Sequence, residues 1–317
     1  MKATTIKSSK IPQYNNSHYA VVDLGSNSFH LLVSHLADNN IATVAKVKRK
    51  VRLAAGLNDQ NELSIKAIER GLDCLTLFAQ HLASIPKENI RIVATAALRI
   101  ANNSSEFIDA ANKILPINIK LLSGEQEANT IYSGAAHTCR DSSTQKRLVI
   151  DIGGASTELI IGESFKALHA ISLNLGCVSF NERYFCDGKL TDSNFDKAIN
   201  AANNLIQPIT SDFIKLGWQT TLGSSGTMQA LIEILHAHPQ ATVLNMTFLQ
   251  KIKQELIVFK DIDNIFFAGL RADRAAILAS GLCILIALFN CLQIKELKLS
   301  TGALREGLLF ELLALQN

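Results

Sequence analysis

The chain has 317 residues, of which 48% are hydrophobic and 19% charged, and carries a formal net charge of +3. That length exceeds one comfortable core and suits two domains of ordinary size, while the apolar content excludes an extended disordered chain. So small a basic excess excludes a nucleic-acid footprint read from charge alone and remains compatible with an anionic substrate. The cysteines Cys74, Cys139, Cys177, Cys186, Cys283 and Cys291 form no CxxC pair and no metal-type spacing. They read as buried, reduced thiols, not as a disulfide frame. The opening MKATTIKSSKIPQYNNSHYA has no apolar h-region. Residues 1–18 are therefore expected to be a disordered tail without a secretory signal, and the protein to be cytoplasmic.

In chain order, Tyr19–Leu24 and Phe29–Leu36 are β-branched runs either side of GSNS, which predicts a hairpin. Ile41–Leu53 alternates Lys46, Lys48, Lys50 and Arg52 with Val47, Val51 and Leu53, the pattern of a third strand with a solvated basic face. A helix is predicted from Ser64, its N-cap, with Ile65, Ile68, Leu72, Leu75 and Leu82 as the apolar stripe. A strand over Ile90–Ala94, a helix from Ser104 or Ser105 to Leu115, a strand over Ile117–Leu122 and a helix from Glu125 to His137 follow. The polar TCRDSSTQKR is the best interdomain linker, so the domains are expected at 19–137 and 138–317, with a C-terminal helix at about 303–317 packing back on the first.

The opening pattern then returns. Arg147–Ile152, GGAS and Thr157–Gly162 repeat strand, turn and strand, placing Asp151, Gly153, Ser156 and Leu159 on Asp23, Gly25, Ser28 and Leu31. This predicts an internal duplication, two domains that each open on a hairpin with Asp, Gly and Ser at its tip. Further on, Leu222-Gly223-Ser224-Ser225-Gly226-Thr227 separates a strand at Gln219–Leu222 from a helix over Thr227–Ala237, a setting suited to an anion. The apolar stretch from Ala275 to Ile294 is long enough to span a bilayer, but Ser280, Asn290 and Gln293 interrupt it. A buried helix fits it better. His236 and His238 precede Pro239 with no third ligand in view and read as surface residues.

A Gly- and Ser-rich tip lets backbone N–H groups converge on one point. A single such tip is usually an ordinary turn; a duplicated pair, each next to an aspartate, points to a phosphate grip. Asp23 and Asp151 end buried-type strands, where a carboxylate needs a partner, solvent or a metal. With Glu158 they supply oxygen ligands suited to Mg²⁺. Glu125 and Glu127 open a helix, which capping alone would explain. Arg99 and Arg305 can pair with phosphate or simply lie in solvent.

The blocks VVDLGSNSFHLLV, ATAALRIANN, LLSGEQEA, VIDIGGASTEL, LGSSGT, RADRAAILASG and STGALREGLL occur in one order from Tyr19 to the C-terminus. In this the chain resembles the exopolyphosphatase and guanosine pentaphosphate phosphatase family. The resemblance implies an α/β fold of the actin-like ATPase (ribonuclease H-like) type, two duplicated domains with the active site in the cleft between them. It further implies hydrolysis of the terminal phosphoanhydride of polyphosphate or guanosine pentaphosphate with Mg²⁺, Mn²⁺ being the alternative ion.

On these positions Glu127, with Glu125 beside it, corresponds to the water-activating base, and Asp151 and Glu158 to the metal carboxylates. The phosphate contacts correspond to Asp23, Gly25, Ser26, Asn27, Ser28, Arg99, Gly153, Gly154, Ala155, Ser156, Thr157, Gly223, Ser224, Ser225 and Arg274. Two departures stand out: Ala155 replaces a third loop glycine, with a strain penalty if its φ is positive, and Gln126 stands where an acid is common. The chain ends soon after GALREG, without the further domains of longer members. Processive action on long polymers would then need a homodimer, and neither nucleic acid nor membrane is expected as a partner. Two other readings remain: an actin-like ATPase or kinase, which would need a nucleotide, and a catalytically weak sensor binding guanosine tetraphosphate or polyphosphate.

Overall fold

The structure is a computed structural model that describes residues 13–37, 40–139, 145–237 and 243–315. Residues 1–12 of the expected tail, 140–144 of the expected linker, His238 and Pro239 lie outside the described residues. The first half runs β1 (His18–Leu24), β2 (Ser28–Ala37), β3 (Asn40–Lys50), α1 (Ile65–Leu82), β4 (Ile90–Ala94), α2 (Ala96–Ile100), α3 (Ser104–Asn112), β5 (Lys120–Leu121) and α4 (Gly124–Thr138). The second runs β6 (Arg147–Ile152), β7 (Thr157–Glu163), β8 (Lys166–Leu173), α5 (Cys177–Tyr184), α6 (Asp192–Ile206), α7 (Thr210–Leu216), β9 (Thr220–Ser224), α8 (Ser225–His236), α9 (Met246–Phe259), α10 (Ala272–Ala275), α11 (Leu278–Leu292), β10 (Lys298–Leu299) and α12 (Leu304–Ala314).

The strands form two five-stranded sheets, ordered β3-β2-β1-β4-β5 and β8-β7-β6-β9-β10. In each, an antiparallel meander is extended by parallel strands on the far side of its first strand. The duplication holds residue by residue: Asp23 sits opposite His30 and Val93, and Asp151 opposite Glu158 and Ser224. This repeated topology is the actin-like, ribonuclease H-like fold.

Because β1 and β6 are flanked on both sides, they read as near-continuous apolar runs, and their alternate residues face different cores. Ala20, Val22 and Leu24 pack outward with α1 and α3, whereas Tyr19 and Val21 face inward. Likewise Leu148, Ile150 and Ile152 join the large core under α6, α9 and α11, whereas Val149 joins the inner one. The inner core holds α4, through Ile131 and Tyr132, and α12, through Leu304, Leu308, Leu309 and Leu312, between the sheets. Both aspartates thereby end central strands at the carboxyl edge, where ligands bind in open α/β sheets.

Several expectations on element bounds need correcting: the helix expected to reach Leu115 ends at Asn112, and the strand expected over Ile117–Leu122 is only Lys120–Leu121. The third strand stops at Lys50 because Arg52, at φ 55°, turns the chain and lets Val51 and Leu53 sink into the core. The apolar stretch from Ala275 to Ile294 is not one helix: α10 ends at Ala275 and α11 starts at Leu278. Leu282 to Leu288 are at most 1% exposed, and no helix among the described residues is long and apolar enough to cross a membrane. The helix expected from Thr227 starts at Ser225, directly after β9, so LGSSGT is a strand-to-helix junction and not a loop.

Leu285, at 0% exposure in α11, is a direct probe of this core. Leu285→Ala is expected to lower stability by about 2–5 kcal/mol through lost transfer energy and a residual cavity. It should appear in urea unfolding as a lower midpoint at unchanged slope.

Candidate active site

Between the sheets lies a cavity of about 450 Å³, walled by both hairpin tips, the ends of β1 and β6, the start of α8 and the approach to α12. The tips meet each other. A Cβ on Gly154 would lie 3.0 Å from Ser26 Cβ and 3.2 Å from the Asn27 nitrogen, so any larger residue would have to push the tips apart by a few tenths of an ångström. The first tip is anchored from behind, the Asn27 carbonyl accepting from the Val51 and Arg52 N–H groups. The second is anchored by α5, whose Cys177 and Val178 N–H groups donate to the Gly153 and Gly154 carbonyls.

Carboxylates gather on one wall. Glu127 lies in the first turns of α4, set by the Ser123 capping box, in which Gln126 N–H donates to Ser123 Oγ and Ser123 N–H to Gln126 Oε1. Gln126 thus has a capping role. Glu127 is 6% exposed and Glu158 1% exposed. Burial pushes Glu127 up to about 7, a rise that Arg99 opposes and that Asp23 and Asp151 add to. Burial likewise takes Asp23 to about 7, with Arg305 opposing and Asp151 and Glu306 adding. Asp151 is raised by burial against a 2.5 Å hydrogen bond from Ser224 Oγ and the charge of Arg305. Glu158 is raised well above the carboxylate range by burial, then by Glu127 and Asp151, against hydrogen bonds from Ser156 and Ser172.

The expected phosphate contacts divide into two groups. Asp23, Gly25, Ser26, Asn27, Ser28, Gly153, Gly154, Ser156, Ser224, Ser225 and Arg274 line the cavity. Several others do not. Thr157 is fully buried and its hydroxyl donates to the Leu175 carbonyl. Gly223 lies in β9, packed under Leu297 and Met228. Ala155 is buried against Gly176 and is absent from the positive-φ residues, so the expected strain penalty does not arise. Arg99 is held behind the cavity, its Nη1 donating to Glu127 Oε2 at 2.9 Å and to the Leu122 carbonyl at 3.0 Å. Glu125 is exposed and stands outside the cavity. Arg274 spends its guanidinium partly on Glu233, at 2.6 Å, and on Gln229, at 2.8 Å.

Several cations that sequence reasoning leaves open or unassigned stand at the cavity. Lys46 and Lys48 line the cavity from the exposed, solvated face of β3. Arg271 and Arg305 line it too, and Arg305 Nη1 stands 3.1 Å from His30 Nδ1. Burial, then Arg305 and Lys48, hold His30 well below its ordinary value, which leaves its ring neutral. Its one sequence signal is register, because His30 occupies the position equivalent to Glu158.

Oxygen donors of this kind suit a hard divalent cation. Among the described residues Asp23 Oδ1 is buried without a hydrogen-bond partner, and so are Ser28 Oγ and Ser225 Oγ, the last on a residue at φ 92°. Among the described residues no three His, Cys, Asp or Glu side chains form a ready cation cage. An ion would therefore take one or two carboxylates and complete its shell with phosphate oxygens and water, as Mg²⁺ commonly does. A larger, shallower depression of about 840 Å³ between Lys189 and Asn264 carries the exposed Lys189–Asp261 ion pair and lies away from the buried carboxylates.

The profile of the Ppx/GppA phosphatase family matches residues 32–316. The chain belongs to that family. It is 51% identical over 294 residues to the guanosine-5'-triphosphate,3'-diphosphate pyrophosphatase of Vibrio cholerae, covering 93% of this chain and 59% of that protein. It is 50% identical over 305 residues to the protein of the same name from Aliivibrio fischeri, covering 96% and 60%. The chain thus spans about three fifths of the length of the curated relatives it matches. The fold is shared with an exopolyphosphatase from Cytophaga hutchinsonii, at TM-score 0.83 and 23% identity, covering 94% of this chain and 98% of that one. It is shared as well with the Ppx/GppA family member of Aquifex aeolicus, at TM-score 0.74 and 21% identity, covering 95% and 98%.

Proposed function

We propose that the chain hydrolyses a terminal phosphoanhydride, with guanosine pentaphosphate as the preferred substrate and inorganic polyphosphate as the second. The observation that carries this reading is Glu127, a buried carboxylate brought to about 7 and lining a cavity bounded by two joined Gly-Ser tips. A group with that affinity is poised to take a proton near neutral pH. The preference for guanosine pentaphosphate rests on the names of the relatives at about half identity.

In this reading Glu127 accepts a proton from water as its oxygen attacks the terminal phosphorus in line. The phosphorus–oxygen bond to the bridging oxygen breaks, and the products are inorganic phosphate and the chain shortened by one phosphate. Asp151 and Glu158 would hold Mg²⁺, or Mn²⁺, which when bound supplies positive charge to the phosphoryl oxygens. The two tips orient the phosphates, while Arg305, Arg274, Lys46 and Lys48 offset their charge, since phosphoryl transfer depends chiefly on positioning and electrostatics.

The test is inorganic phosphate release with Mg²⁺ from guanosine pentaphosphate and polyphosphate side by side. Release from guanosine pentaphosphate at the higher kcat/KM is expected. Tight binding of both without release would instead establish a sensor, and a requirement for added nucleotide a kinase.

A further inference from the structure

Behind the cavity, one hydroxyl joins the two halves of the carboxylate wall. Ser172, in β8, stands opposite Glu158 of β7 in the strand register, and its Oγ–H donates to Glu158 Oε1 at 2.7 Å. On its other side Arg99 Nη2 donates to Ser172 Oγ at 3.4 Å, while Nη1 of that guanidinium holds Glu127 at 2.9 Å. A guanidinium can only donate, so Ser172 Oγ accepts from it, and its own proton points to Glu158 whenever that carboxyl is ionised. The relay Glu127–Arg99–Ser172–Glu158 therefore crosses from the first sheet's half of the chain to the second.

Packing keeps Ser172 in that place. The first residue of α4 rests on it: a Cβ on Gly124 would lie 2.6 Å from Ser172 Cβ, 3.1 Å from its Oγ and 3.8 Å from Arg99 Nη2. The helix that carries Glu127 is thus seated directly on the side chain that orients Glu158.

We propose that Ser172 is a positioning residue for the hydrolysis, fixing the base Glu127 and the ion-side Glu158 in one geometry through Arg99. This inference rests on the hydrolase reading above. Ser172 does not line the cavity. Its loss should therefore weaken turnover and leave substrate binding largely intact.

The experiment measures kcat and KM for phosphate release by the wild-type chain, Ser172→Ala, Arg99→Lys and the double variant, on whichever of guanosine pentaphosphate or polyphosphate the wild type hydrolyses. Ser172→Ala is expected to lower kcat about ten- to a hundredfold with KM within about twofold, since misplacing a catalytic group by a fraction of an ångström is costly. Lysine lacks the second nitrogen that reaches Ser172, so in the Arg99→Lys background the same change should cost less than about threefold more. Gly124→Ala, which displaces the contact from the other side, should reproduce the loss in kcat. Wild-type kcat in Ser172→Ala, or losses that multiply fully in the double variant, would overturn the inference while leaving the hydrolase standing. Absence of release by the wild type on both substrates would remove the hydrolase reading and this inference with it.

Discussion

Glu127→Gln is expected to lower kcat by about 10²–10⁴-fold, the range for losing a general base, with KM nearly unchanged. The substitution keeps the shape of the side chain and an oxygen able to accept from Arg99, so the ion pair at 2.9 Å becomes a hydrogen bond to a neutral amide. What disappears is the group that can take the proton of the attacking water. Folding should survive, because a neutral amide at a site 6% exposed avoids the cost of burying a charge. Phosphate release measured beside thermal unfolding separates the two effects. A correctly folded Glu127→Gln chain with wild-type turnover would remove the base assignment.

Arg99→Leu is the second large effect, and it acts through pH. Glu127 must be ionised to serve as base, and with its affinity at about 7 the activity of the wild type should fall as pH drops below that value. Arg99 lowers this value through its hydrogen bond and its charge, against a larger contribution from burial. Deleting the guanidinium leaves burial, Asp23 and Asp151 unopposed, so Glu127 holds its proton to higher pH. The acid limb of kcat/KM should move upward by about one pH unit or more, and activity at neutral pH should fall several-fold to tenfold as the ionised fraction of Glu127 shrinks. Profiles recorded from about pH 5.5 to 9 check this. An acid limb that stays in place would mean that Arg99 does not control the base.

These two residues also mark how far sequence reasoning reaches. Glu127 and Arg99 stand 28 positions apart in the chain and read separately, the first as a base and the second as a phosphate contact. Only the tertiary fold brings α2 and α4 together and turns Arg99 from the anion to the carboxylate. Glu125 shows the converse: two residues along an α-helix point about 200° apart, so of two glutamates in one turn only one could face the cleft. The helices α6 and α9 are passed over by the sequence reading, although their buried residues recur at helical spacing. In α6 that face is Phe195, Ala198, Ala202 and Ile206, with polar residues between, a stripe less conspicuous to the eye than the continuous apolar run of α11.

The sequence by itself determined the duplicated hairpins, the aspartate at the end of each central strand, the glycine at each tip and the buried character of α11. Those features follow from period-two alternation, turn chemistry and the apolar demand of a strand flanked on both sides, all of which act within a few residues. Tertiary structure alone decided which cations face the cavity, that the two tips touch through Gly154, and that Ser172 stands between Arg99 and Glu158. A charged side chain reads alike on a solvated face and on a cleft wall. The difference is made by the opposite sheet, which the local chain does not encode.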